Sequence, residues 1–138
     1  MTKKIAEVLN DGGMAICVFD TDVSTWNEEE KRKLDRLRVK YAKNKNVILC
    51  DSLPAVEYWF LLHYENTNRF LGTSKAAMQA LRKYMPDYDK TDSFLSNRRW
   101  VAEMSGEGKQ DIACCRAEQF GNEGQSYSMI YKVFDAIK

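Results

Sequence analysis

The chain has 138 residues, 44% hydrophobic and 30% charged, which is the balance of one soluble globular domain able to bury a core. Lys and Arg number 21 against 20 Asp and Glu, a formal charge of +1, so no global basic footprint marks a nucleic-acid binder and only a local patch could serve. No apolar run approaches the roughly 18 residues of a membrane span, and the polar start Met1-Thr2-Lys3-Lys4 does not read as a signal peptide, so a cytoplasmic location is expected.

Residues 2–10 read as a short amphipathic helix with Ile5, Val8 and Leu9 on one face, ended by the turn residues Asp11-Gly12-Gly13. Met14-Ala15-Ile16-Cys17-Val18-Phe19 is long and apolar enough for a buried strand, and it runs straight into Asp20-Thr21-Asp22. Thr25-Trp26-Asn27-Glu28 has the form of a capping box, opening a charged helix to about Lys43. Glu28, Glu29 and Glu30 favour its start and Lys40 and Lys43 its end, while Glu28–Arg32 and Glu29–Lys33 have i,i+4 spacing. Leu34, Leu37 and Tyr41 give it a narrow apolar stripe. After Asn44-Lys45-Asn46 a second strand, Val47-Ile48-Leu49-Cys50, completes a βαβ unit with parallel strands.

Beyond Asp51-Ser52 the pattern turns helical. Pro54 suits the first turn of an apolar helix over Ala55–Tyr64, and Thr73–Met85 is another, stopped by Pro86. Weaker helical segments span 92–104 and 109–120, and 127–137 places Ile130, Val133, Phe134 and Ile137 at helical spacing. The fold class is α/β: a small parallel βαβ core over 1–52 and a mostly helical portion over 53–138, in a single domain. Two parallel strands make a poorly covered sheet, so further strands are expected from a partner chain or from a longer parent protein. The unpaired edges predict association, a symmetric homodimer being one form of it. The cysteines Cys17, Cys50, Cys114 and Cys115 lack metal-ligand spacing and read as reduced, packed thiols.

Two constellations carry chemistry. Alternate residues of an extended chain point the same way, so Asp20 and Asp22 can converge on one cation outside the carboxyl end of a strand. The plainer reading makes them loop and capping acids beside the following helix. The second constellation is Asp51-Ser52-Leu53-Pro54-Ala55-Val56-Glu57-Tyr58-Trp59-Phe60-Leu61-Leu62-His63-Tyr64, which holds the only histidine. Glu57 sits among Val, Tyr, Trp, Phe and Leu and must find an Arg, Tyr or backbone donor, or serve a site. Six positions separate it from His63, about 240° around a helix, so the two do not share a face. His63 reads as a general base or phosphate contact, or as a histidine bonded at the edge of the core. Arg98-Arg99-Trp100 could touch nucleic acid, although a solvated helix face is the simpler reading.

A strand ending in Phe-Asp-x-Asp, then a charged helix, a second strand and Pro-x-x-Glu-x-Trp-x-Leu-Leu-His, resembles the RloB family over residues 14–64. The departure is Ser52-Leu53-Pro54, where members often carry Ser-Asn-Pro. The resemblance implies a Toprim-like fold, partial in this chain, encoded near bacterial restriction–modification and abortive-infection systems. It implies Mg²⁺, or Mn²⁺, held by Asp20 and Asp22, a nuclease-like phosphoryl transfer on nucleic acid, and site roles for Glu57 and His63. It also implies a metal-binding glutamate on an earlier strand. Glu7 lies instead on a predicted helix and Asp11 in the turn after it, so an N-terminally truncated member is expected, or a divergent or excised domain that starts just before the Asp-x-Asp strand. The alternative is a non-catalytic interaction module that binds a partner protein of a defence locus.

Overall fold

The computed structural model describes residues 2–21, 28–121 and 125–137. Helix α1 (Thr2–Asn10) ends as its turn chemistry dictates: the Gly12 and Gly13 N–H groups return to the carbonyls of Leu9 and Val8, with Gly12 in the left-handed region at φ 79°. Strand β1 (Ala15–Asp20), helix α2 (Glu28–Tyr41) and strand β2 (Val47–Leu53) form the parallel unit, with Ala15 opposite Val47 and Asp20 opposite Ser52. Along α2 the Glu29–Lys33 pair forms, whereas Glu28 reaches Lys31, an equally near neighbour on a helix surface. Asp22 and the first three residues of the expected capping box lie outside the described residues.

Strand β2 runs three residues further than the periodicity predicts, taking Asp51 and Ser52 into the sheet. The Thr21 N–H continues the ladder to the Ser52 carbonyl at 2.8 Å. Pro54 follows a cis peptide bond and precedes the next helix, which starts only at Val56: α3 (Val56–Leu61) is shorter than the expected 55–64. Helix α4 (Ser74–Arg82) is capped by Thr73, whose hydroxyl accepts from the Ala76 N–H at 3.1 Å. The single helix expected over 92–104 is two, α5 (Asp92–Leu95) and α6 (Arg99–Ser105). The Asn97 side chain restarts the chain by accepting from the Arg99 N–H at 3.0 Å. Helix α7 (Lys109–Phe120) has the predicted bounds.

The main correction concerns the C-terminal segment. Residues 127–137 are not one helix: Tyr127–Ser128 form strand β3, antiparallel to β2, and helix α8 (Tyr131–Ala136) follows. The chain itself therefore supplies a third strand, in the order β1-β2-β3. Long-range bonds override the local helical spacing. The Ser128 and Ser52 hydroxyls meet at 2.8 Å, and the Met129 N–H donates to the Asp51 carbonyl at 2.8 Å. The Tyr127 hydroxyl accepts from Arg38 Nη2 at 2.9 Å and donates to Asp51 Oδ2 at 2.7 Å. Arg38 also donates directly to Asp51 Oδ2 at 2.5 Å, so one buried carboxylate joins α2, β2 and β3. Burial pushes the Tyr127 hydroxyl above its ordinary range, which keeps it protonated as the donor.

Each face of the sheet carries its own apolar cluster. On one, Ala15, Cys17, Val47 and Leu49 lie under Ile5 and Leu9 of α1 and Leu37 and Tyr41 of α2. On the other, Ile48 and Cys50 meet Tyr58, Trp59 and Leu62 together with Ala113, Ala117 and Ile130. Coverage of this second face stops at β2. Helices α3 and α8 pack on β2, and β1 takes its principal helix contact from α1. Ile16 and Val18 are therefore 42% and 55% exposed, and the strand expected to be buried is an edge strand with one open apolar face. None of the four cysteines, all among the described residues, is in a disulfide; Cys50 is fully buried and its thiol is pushed up to about 11 by desolvation, whereas Cys115 is exposed rather than packed.

Removing the Asp51 carboxylate strands a half-exposed Arg38 and a buried Tyr127 hydroxyl at once. Asp51→Ala is expected to destabilise the fold by about 2–4 kcal/mol, and Tyr127→Phe by about 1 kcal/mol. Both are read as lower urea midpoints at unchanged slope; an Asp51→Ala midpoint equal to wild type would remove this carboxylate from its structural role.

Candidate functional site

The carboxyl end of β1 delivers Asp20 to the start of α3. Ala55, in the N-cap position, has no side chain able to accept a hydrogen bond, and Asp20 Oδ1 takes the Val56 N–H instead at 2.9 Å. An acid so placed satisfies one of the unpaired donors of the first turn and complements its partial positive charge. Asp20 is thus the last residue of the strand, exposed and aimed across the sheet edge at the helix.

The next residue along α3 is Glu57, which is fully buried. Its Oε1 accepts from the Tyr88 hydroxyl at 3.0 Å and pairs with Lys90 Nζ at 2.9 Å. Oε2 is buried without a hydrogen-bond partner among the described residues, an arrangement that costs about 1–3 kcal/mol and so marks the group. Tyr88 and Lys90 come from the strap that follows α4, which Arg82 ties down by donating Nε–H to the Tyr88 carbonyl at 2.9 Å. Burial first, then Glu57, and beyond them the charge of Asp20, push the Tyr88 hydroxyl far above its ordinary range. Asp20 and Glu57 therefore converge electrostatically on one phenol. A pKa raised in this way keeps the phenol protonated as the donor to Glu57.

His63 lies elsewhere. It is 5% exposed, its Nδ1 bonds the Trp59 carbonyl at 3.0 Å, and its ring stands edge-on to Trp59 at 5.0 Å between centroids. It shares no hydrogen-bond partner with Asp20 or Glu57. Desolvation lowers its pKa, with Arg116 and Lys109 adding to the effect, so the ring is neutral near pH 7. With Nδ1–H donating, Nε2 is the acceptor nitrogen.

The structure thus unites Asp20 with Glu57 and leaves His63 on its own; Asp22 is outside the described residues. Among the described residues no three His, Cys, Asp or Glu side chains are grouped to hold a metal ion. The two residues that sequence reasoning missed are Tyr88 and Lys90. Their signal was available in the demand of a buried glutamate for a donor, but nothing local pointed to the strap.

Residues 3–137 match the family described as RloB-like protein. No curated protein matches, and no solved structure does. Among the described residues no helix is long and apolar enough to cross a membrane.

Two outcomes test this geometry. Lys90→Ala leaves Glu57 with a buried charge and only Tyr88 for support, and it is expected to destabilise by about 1–2 kcal/mol because Lys90 is half exposed. In the double variant with Glu57→Gln most of that cost should disappear, and additive effects would show that the pair is not coupled. For His63, the lowered pKa means that the unfolded chain takes up the proton first. Its contribution is complete above about pH 6.5 and is lost as pH falls through the folded value. His63→Asn, which keeps a donor for the Trp59 carbonyl, should therefore lose less stability than wild type between pH 7 and pH 5; parallel urea curves would refute the assignment.

Proposed function

Because the chain belongs to the RloB-like family, we propose that it is a Toprim-like, Mg²⁺-dependent phosphoryl-transfer protein acting on nucleic acid in bacterial phage defence. The observation that carries this reading is that Asp20, at the carboxyl end of a parallel strand, caps the helix on whose next residue, Glu57, a buried oxygen is left unbonded among the described residues. Ligand sites of open α/β sheets gather at that end of the strands. An orphaned carboxylate oxygen is the donor that a hard cation completes, and magnesium takes few protein carboxylates, filling its shell with water and phosphate oxygens.

In this reading Asp20 and Asp22 would hold Mg²⁺, or Mn²⁺, with Glu57 following on the helix that Asp20 caps. The ion would supply charge stabilisation for the phosphoryl group and an activated water. The chain's own groups do the rest. Lys90 pairs with Glu57, and the protonated Tyr88 fixes the orientation of the Glu57 carboxylate. His63 presents a neutral ring with Nε2 open to a proton.

A second reading, the non-catalytic interaction module, is favoured by the fact that both acids already have structural work. Asp20 caps α3 and Glu57 anchors the strap. There the open edge of β1 would serve a second copy of the chain or a defence-locus partner.

Calorimetric titration with Mg²⁺ and Mn²⁺ separates the two. The metal reading expects Asp20→Ala with Asp22→Ala to lower affinity by about tenfold or more, with cleavage of nucleic acid lost in parallel. Unchanged metal affinity in the double variant would remove the first reading and leave the second.

A further inference from the structure

The strap that brings Tyr88 to Glu57 has a second side. Together with α6 and the turn before α7 it closes a cavity of about 740 Å³, within the size range of small-molecule sites. Two aromatic pairs line it. Tyr64 and Tyr84 stack with their planes 5° apart and their centroids separated by 5.2 Å, and Phe94 and Trp100 stack at 28° and 5.4 Å. Tyr84 is 36% exposed, so its ring is presented rather than sealed in the core. The indole N–H of Trp100 is buried and has no acceptor among the described residues, a donor that the protein's own groups leave unsatisfied.

The charges decide what fits between these walls. Asp87, Glu103 and Glu107 set three carboxylates against the two cations Arg99 and Lys109. Lys109 is already engaged, lying 5.3 Å over the Tyr64 ring and donating to the Glu103 carbonyl. Lys83, 5.9 Å over the Tyr84 ring, adds a third cation, so the charges around the cavity balance and the aromatic walls favour a neutral planar ring. Flat aromatic walls hold planar heterocycles by stacking, and every nucleobase offers such a face, whatever its sequence context. The rim polar groups, including the Asn97 amide and the Arg99 guanidinium, can meet the edge of a base.

We infer that this cavity is a binding pocket for one unpaired nucleobase, with the sugar and phosphates remaining outside. The inference rests on the nucleic-acid reading above for its strand. It adds the feature of the strand that is recognised, a base out of its stack, and it places that base one residue, Tyr88, away from Glu57. An enzyme that grips a base beside its carboxylates acts on single-stranded or locally opened substrate.

The test uses fluorescence anisotropy of a labelled short single-stranded oligonucleotide and its abasic counterpart, both in excess EDTA so that no metal contributes. Wild type is expected to bind the base-bearing strand about tenfold or more tighter than the abasic one, the scale of a lost base–aromatic stack. Tyr84→Ala should abolish that preference. Tyr84→Phe, which keeps the ring and loses only the hydroxyl that donates to Glu65 at 2.8 Å, should retain it. Equal affinity of wild type for the two strands, or binding to neither, overturns the pocket, and that comparison needs no variant to fold. A preference that survives Tyr84→Ala, or vanishes in Tyr84→Phe, overturns it as well. Because metal is absent throughout, these failures are distinct from failure of the metal titration: a base preference can stand with no metal site, and a metal site with no base preference.

Discussion

The whole architecture leans on the Asp51 carboxylate. A buried charge has to be met by donors, and here the donors come from two other elements: Arg38 from α2 and Tyr127 from β3. That demand holds the charged surface helix against the sheet and ties in a two-residue strand beside β2. Apolar packing supplies the bulk of the folding free energy, but it does not choose which backbone pairs with β2. The hydrogen-bonded carboxylate and the neighbouring Ser52–Ser128 contact make that choice. Once β2 is locked, its last residues fix where α3 begins, and the site follows from there.

How much of this was legible in the sequence depends on how local the cause is. Helix α1, strand β1, the body of α2 and helix α7 were readable because periodicity, turn glycines and charge placement all act within a few residues. Strand β3 was not, since two residues carry no period and Ile130, Val133, Phe134 and Ile137 imitate a longer helix. The break between α5 and α6 was hidden for a similar reason: one asparagine side chain, not a proline or glycine, interrupts the helix. The site was half legible. Asp20 and Glu57 stood out as acids at a strand end and inside an apolar run. That one caps the helix carrying the other depends on a contact 36 residues apart in sequence, and the Tyr88 donor lies 31 residues from Glu57.

The arrangement of the site follows from economy of polar groups. A short helix with alanine in its capping position needs an outside acid, and the strand end provides one. A glutamate buried on the same helix needs a cation and a hydroxyl, and the strap provides both. Each acid is thereby held in place by the protein's own groups. The strap has one further effect, in that it makes the aromatic cavity and the acid pair two faces of a single wall.

The open face of β1 has a consequence of a different kind. Its run from Met14 to Phe19 contains no lysine, no proline and no inward-pointing charge, the devices by which natural sheets discourage stray pairing. High β-propensity, neutrality and an uncapped row of backbone donors and acceptors are the ingredients of cross-strand aggregation. A strand of this composition at the edge of the described sheet is a template on which another strand can pair. Because Ile16 and Val18 are already exposed, polar residues at those two positions would act on association more than on the packing of the fold.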